Sequence, residues 1–285
     1  MYHKGDLQIN ISYESASERG DVLALTVGTG PFGKQSTGKF NFEVTAPRGH
    51  ALYFEDSPKR VRAVFNGETV VDSRRVKLMH ETGHLPIYYF PEEDVRQDLL
   101  EPSDHTTHCP FKGDASYWSV RVGDRVAENA VWSYLEPLEG APPISGYVAF
   151  YHDAMDKWLE EDEEIIGHPH DPYHRVDVLE SSRHVRVRVN GEIVAETHRP
   201  KILFETGLPP RYYLPPEDVH TELLVESETK TVCPYKGIAS YRSTRIDGEV
   251  VEDLAWYYPE PLPEAQKVRD HVCFYDEKAV IEIDG

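Results

Sequence analysis

Across 285 residues there is no uninterrupted apolar run near the roughly 20 residues that a membrane-spanning helix needs, so no such helix is predicted. Basic residues are scarce: 30 Lys and Arg stand against 50 Asp and Glu, a net charge of −20. Nucleic-acid affinity rests on Lys and Arg neutralising phosphates, so nucleic acid is excluded as an expected partner, and an anionic membrane surface with it. Cysteine is rare as well. Cys109, Cys233 and Cys273 are odd in number and lack the spacing of a disulfide framework, which suits a reducing compartment. The opening Met1-Tyr2-His3-Lys4-Gly5-Asp6 has no apolar stretch of the signal-peptide kind, and a cytoplasmic location is expected. The 39% hydrophobic content is enough for cores.

What the chain does have is a duplication. Shifting it from Ser57 onward by 190 − 66 = 124 positions lays Asn66-Gly67-Glu68 on Asn190-Gly191-Glu192 and Glu81-Thr82-Gly83 on Glu205-Thr206-Gly207. The same shift carries Tyr88-Tyr89 to Tyr212-Tyr213, Cys109-Pro110 to Cys233-Pro234, Lys112-Gly113 to Lys236-Gly237 and Trp132 to Trp256. The period is far longer than a solenoid unit, so each copy is a domain. The expected division is an N-terminal β extension over 1–56, a first repeat over 57–158, an acidic His/Pro connection over 159–181 and a second repeat over 182–285.

Strand patterns dominate both copies. Val61 to Phe65 and Val185 to Val189 alternate, and Asn66-Gly67 and Asn190-Gly191 supply the positive backbone angles of tight hairpins. Further hairpins are predicted at Gly123-Asp124 and Asp247-Gly248. Two helices are expected. One covers Pro91 to Leu100, with acids in its first turn; the other covers His152 to Glu164, with Met155, Trp158 and Leu159 on one face. The fold class is therefore mainly β with short helices.

The phosphate-loop look of Gly28 to Gln35 fails on its chemistry: Gln35 stands where Ser or Thr must ligate magnesium, and a strand pattern follows instead of a helix. Cys109 beside His105 and His108 offers a nucleophile with a candidate base, and a redox thiol is a further option. Zinc is disfavoured, since copy two replaces the two histidines with Thr229 and Val232. Glu81 and Lys112, kept as Glu205 and Lys236, read as an acid/base group with its electrostatic anchor, or as a structural ion pair. Tyr88, Tyr117, Trp118 and Trp132 are candidate pocket walls, with Asp114 as a polar contact, although aromatic packing in a β core explains such residues equally. His168, His170 and His174 with Asp171 read as a solvated connection and not as a metal site.

The run from Cys109 to Trp118, with Val131-Trp132-Ser133-Tyr134, Gly146 to Tyr151 and the Glu-Thr-Gly segment before them, resembles the domain-of-unknown-function 427 family, at times labelled nucleotidyltransferase-like. The resemblance covers roughly Ser57 to Trp158 and Ser182 to Gly285. It implies two tandem β-tent-like (Mss4-like) domains, related in architecture to methionine sulfoxide reductase B and the ligand-binding domain of cereblon. Zinc-bearing members of that fold group use paired Cys-x-x-Cys knuckles; this chain has none, so no metal or cofactor is carried over. The nucleotidyltransferase label finds no metal-binding Asp pair or intact phosphate loop here.

Together these readings predict a small-molecule-binding protein doing acid/base or nucleophilic chemistry, hydrolase- or isomerase-like, in a pocket of the first repeat. Glu81, Cys109, Lys112, His105 and His108 would carry the chemistry, and Tyr88, Asp114, Tyr117, Trp118 and Trp132 would hold the substrate. The competing class is a non-catalytic ligand- or protein-binding module.

Overall fold

The structure, a computed structural model, describes residues 50–284 except Gly83 and Asp247. The expected β extension therefore lies largely outside the described residues, as does the Gly28 to Gln35 loop. Contacts divide the described chain between Asp171 and Pro172 into two units.

The first unit carries eleven strands: β1 (Leu52–Asp56), β2 (Val61–Phe65), β3 (Glu68–Ser73), β4 (Lys77–Glu81), β5 (Ile87–Pro91), β6 (Leu100–Cys109), β7 (Gly113–Val122), β8 (Arg125–Ser133), β9 (Tyr147–Phe150), β10 (Lys157–Glu160) and β11 (Glu163–Ile165). Seven of them form an antiparallel sheet in the order β1-β4-β5-β9-β8-β7-β6, and four a second sheet in the order β11-β10-β2-β3. The second unit carries β12 (Val176–Glu180), β13 (His184–Val189), β14 (Glu192–Thr197), β15 (Lys201–Glu205), β16 (Arg211–Leu214), β17 (Leu224–Cys233), β18 (Gly237–Ile246), β19 (Glu249–Tyr257), β20 (Val272–Phe274) and β21 (Val280–Asp284). Its sheets run β12-β15-β16-β20-β19-β18-β17 and β14-β13-β21. The protein is mainly β, built from two repeated two-sheet domains.

Alternation along each strand sorts side chains between two cores, as the period of two requires. In β5, Tyr88 and Phe90 enter the core between the sheets, with Val61, Val71, Val131 and Trp158, while Tyr89 enters a second cluster with Met79, Tyr117, Trp132 and Tyr134. Both Asn-Gly hairpins form as predicted, with φ of 48° and 82° at Asn66-Gly67 and 50° and 85° at Asn190-Gly191. These angles fit the primed turns that match strand twist.

Neither predicted helix forms as such. Pro91 closes β5, and only short 3₁₀ turns follow, at Glu92–Asp94 and Gln97–Leu99. Val95 between them bridges to Val71, and the acids reach for Arg75: its guanidinium meets Glu93 at 2.8 Å and Asp94 at 2.5 Å. In the other segment only His152–Ala154 turns; Lys157–Glu160 then pairs with β2 and hairpins onto β11 through Glu161 at φ 50°. Strand alternation buries Trp158 against Phe90 and Phe150 and turns Leu159 the other way. Pairing with a waiting edge, plus burial of one Trp, outweighs a helical pattern of only three apolar residues.

The domain edges also move. β1 lies 124 positions before β12 (176 − 52 = 124), and each pairs with its own Glu-terminated strand, so the repeat starts ahead of Ser57. The segment 159–181 is no bare connection: it holds the end of β10, β11 and all of β12.

Candidate functional site

β4 pairs antiparallel with β1 in a register that sets Leu52 opposite Glu81. Thr82 extends this clamp. It donates its amide to the Ala51 carbonyl at 3.1 Å, and its Oγ1 accepts the Ala51 amide at 3.0 Å. The chain just before β1 is thereby held over the end of β4, and His50 lands on Glu81, with Nε2 2.8 Å from Oε1.

Lys112 arrives from the turn between β6 and β7. That turn closes with the Lys112 amide on the Cys109 carbonyl at 3.3 Å, and the Leu138 amide binds the Lys112 carbonyl at 3.1 Å. Gly113, at φ 103°, takes a conformation that side chains resist, and a Cβ there would stand 3.4 Å from the Glu136 carbonyl. The repeated Cys-Pro-aromatic-Lys-Gly motif is thus a turn whose product is a lysine aimed inward. The Lys112 ammonium donates to Glu81 Oε2 and sits 5.6 Å from the Tyr134 ring centroid.

The result is a His–Glu–Lys corner in which the side chains are 17%, 5% and 7% exposed, respectively. Burial pushes the Glu81 carboxyl up, but Lys112 and His50 outweigh it and hold the group below its usual range, so it is ionised. The Phe111 ring stacks on His50 at 3.9 Å, and His84 meets it edge-on at 6.3 Å. Among the described residues, Nδ1 of His50 has no hydrogen-bond partner.

The same construction stands in the second unit at a constant offset: 50 + 124 = 174, 81 + 124 = 205 and 112 + 124 = 236. His174 Nε2 lies 3.0 Å from Glu205 Oε1, Lys236 donates to Oε2, and Tyr235 stacks on His174 at 4.0 Å. Burial works to raise the Glu205 carboxyl, yet His174 and Lys236 bring it to about 2. For Lys236, burial works to lower the ammonium, while Cys233 and Glu205 raise it above its ordinary value.

The residues singled out from sequence divide. Glu81 and Lys112 meet directly, and Cys109, Tyr117 and Trp132 share their side of the sheet in the cluster with Tyr89 and Tyr134. The Tyr117 hydroxyl lies 2.9 Å from Thr107 Oγ1 and 3.4 Å from the Tyr151 hydroxyl. Tyr88 and Trp118 do not wall this site. Alternation sends both toward the core between the sheets, where the Tyr88 hydroxyl donates to Glu160. Asp114 and His108 form an exposed cross-strand pair at 2.6 Å on the opposite side of β6 and β7 from Cys109. His105 is exposed, with its ring 4.5 Å from Tyr117. No hydrogen bond joins Cys109 to either histidine among the described residues.

Sequence reasoning missed His50 and Phe111, and set His174 aside as part of a connection. One signal was available: carrying the 124-residue shift back seven positions from Ser57 lays His50 on His174. Among the described residues no group of three or more His, Cys, Asp or Glu side chains is placed to hold a metal ion. A polar hollow of about 320 Å³ lies elsewhere, on the β17–β19 face of the second unit, lined by Glu226, Ser227, Thr229, Arg245, Glu252 and Asp253. No helix among the described residues is long and apolar enough to cross a membrane.

Fold and site together define a class: tandem two-sheet β domains, each with a buried His–Glu–Lys corner behind a Cys-Pro turn. The chain belongs to the family of the Domain of unknown function (DUF427), whose model matches residues 53–161 and again 177–285. A search of curated proteins returns no match.

Proposed function

We propose that the first repeat binds a small organic molecule at the His50–Glu81–Lys112 corner and moves a proton on it, in a hydrolase- or isomerase-like reaction. One observation carries this reading: His50 gives one ring nitrogen to an ionised carboxylate and leaves Nδ1 without a described partner.

The chemistry follows from charge. Lys112 keeps Glu81 ionised, which suits it poorly as a proton acceptor and well as an orienting group. Glu81 accepts the Nε2 proton of His50, fixing the tautomer with a lone pair on Nδ1. That lone pair takes a proton from the substrate, or from a water attacking it, and Glu81 stabilises the imidazolium that results. The acid/base role expected of Glu81 thus passes to His50, with Glu81 as a positioning residue. Phe111 covers one ring face and limits rotation. Cys109, Tyr117 and Trp132 supply the apolar and hydroxyl-bearing flank. A net charge of −20 supports a small molecule over nucleic acid or an anionic membrane as the partner.

The test is a broad metabolite and ester screen on wild type, His50→Gln and Glu81→Gln. Turnover that falls about 10²-fold or more in kcat in His50→Gln, with the fold retained, supports the reading. Turnover indifferent to His50 in a folded variant defeats it. The depth of Glu81 and Lys112, 5% and 7% exposed, also favours a second reading in which the corner is a structural clip in a non-catalytic binding module. Thermal-shift binding that ignores substitution of His50, Glu81 and Lys112 would favour that module.

A further inference from the structure

The sequence comparison placed chemical distinctiveness in the first copy, because His105, His108, Asp114 and Trp118 have no like counterparts in the second. In the structure those four lie on exposed strand positions or against the inter-sheet core, and none of them touches the His–Glu–Lys corner. The three residues of the corner itself are all duplicated.

We infer that the second repeat holds its own ligand site, built on His174, Glu205 and Lys236, so that the chain has two independent imidazole sites of one chemical class. The inference rests on the proposed function for what the site does, and on separate observations for its existence. His174 is 18% exposed against 17% for His50, so its ring reaches solvent to the same degree. Its Nδ1 likewise has no hydrogen-bond partner among the described residues. The clamp that delivers it is repeated: the Arg175 amide donates to Thr206 Oγ1 at 2.8 Å, and the Thr206 amide to the Arg175 carbonyl at 3.0 Å. Gly237, at φ 104°, and the Lys236 carbonyl, bound by the Leu262 amide at 3.0 Å, rebuild the lysine turn.

The two sites differ in lining, and the differences set ligand preference. Tyr235 replaces Phe111 as the stacking ring. Leu208 stands where the first site has His84 beside the imidazole, which removes a second titratable ring. The class of ligand is a small organic molecule that presents an acidic O–H, N–H or C–H to Nδ1. The second site should prefer one with an apolar edge where the first admits a polar one.

Diethyl pyrocarbonate, which acylates neutral imidazole nitrogen, is the probe, with peptide mass spectrometry as the readout on the full chain. His50 and His174 should be modified at comparable rates, well ahead of the buried His80, which is 2% exposed. Glu205→Gln should change the modification rate of His174 alone, and Glu81→Gln that of His50 alone. Should Glu205→Gln fail to fold, Thr206→Val, which removes the side-chain half of the clamp, replaces it and should disturb only His174. A reactive His50 with an inert His174 overturns the second site and leaves the first intact. Inertness of both rings defeats the proposed function itself, and a His174 modification rate indifferent to both Glu205→Gln and Thr206→Val also overturns the inference.

Discussion

At the scale of single residues, the site depends on backbone positions as much as on charges. Gly113 and Gly237 share nearly the same φ, but a Cβ on Gly237 would stand 3.1 Å from the Glu260 carbonyl, against 3.4 Å for the nearest contact at Gly113. Alanine at either position forces a conformation costing about 1–3 kcal/mol. Gly237→Ala should cost more than Gly113→Ala, because the rigid backbone of the 260–262 segment must also yield. Urea unfolding of the two variants decides this; equal losses would remove the close-approach argument. The charges give a pH prediction. Glu205 is brought from 4.5 to about 2 in the folded protein, so its contribution is complete above pH 4.5 and fades as pH falls toward 2. The expected size is about 3 kcal/mol, so the stability gap between wild type and Glu205→Gln should be widest at neutral pH and shrink across that window. A gap constant from pH 6 to pH 2.5 would contradict it. Lys112→Met should cost about 3–5 kcal/mol, because it strands the Glu81 carboxylate in a buried place without its cation.

At the scale of elements, the segment from His152 to Ile165 shows tertiary context overriding local pattern. Its indole anchors the pairing of β10 with β2: Trp158 is 3% exposed, and its N–H donates to the His152 carbonyl at 2.8 Å. Trp158→Ala should therefore cost about 3–5 kcal/mol, and amide exchange should rise first along β10 and β11. A loss below 1 kcal/mol would mean that the second sheet does not depend on this anchor. The clamp at the start of β1 is the other decisive element. It converts a Glu-Thr-Gly end-of-strand motif into a device that fixes a histidine two residues ahead of the partner strand.

At the scale of the whole molecule, the duplication extends from the core to the site. The second unit has its own two apolar clusters, one around Val187, Leu214 and Phe274 and the other around Tyr213, Trp256 and Val268, with every member drawn from its own residues. Residues 172–285 expressed alone should fold cooperatively, with a β-type circular dichroism spectrum and dispersed amide resonances. A fragment that stays unfolded would show that the unit needs more of the chain than its described cores contain.

The sequence by itself determined the repeat, the mainly β class, the Asn-Gly hairpins and the pairing of one carboxylate with one lysine in each copy. All of these are written in short-range patterns or in identities between copies. Only the tertiary structure decided the rest. It placed Tyr88 and Trp118 on the far side of the sheet from Cys109, because alternation separates neighbours that spacing alone leaves together. It turned two helical patterns into 3₁₀ turns and a hairpin; in the His152 to Glu164 segment the cause is β2, whose edge offered more hydrogen bonds and burial than a short helix could. It also brought His50 and His174 to their glutamates, 31 residues away in each case, because strand register is set by long-range pairing that no local window contains.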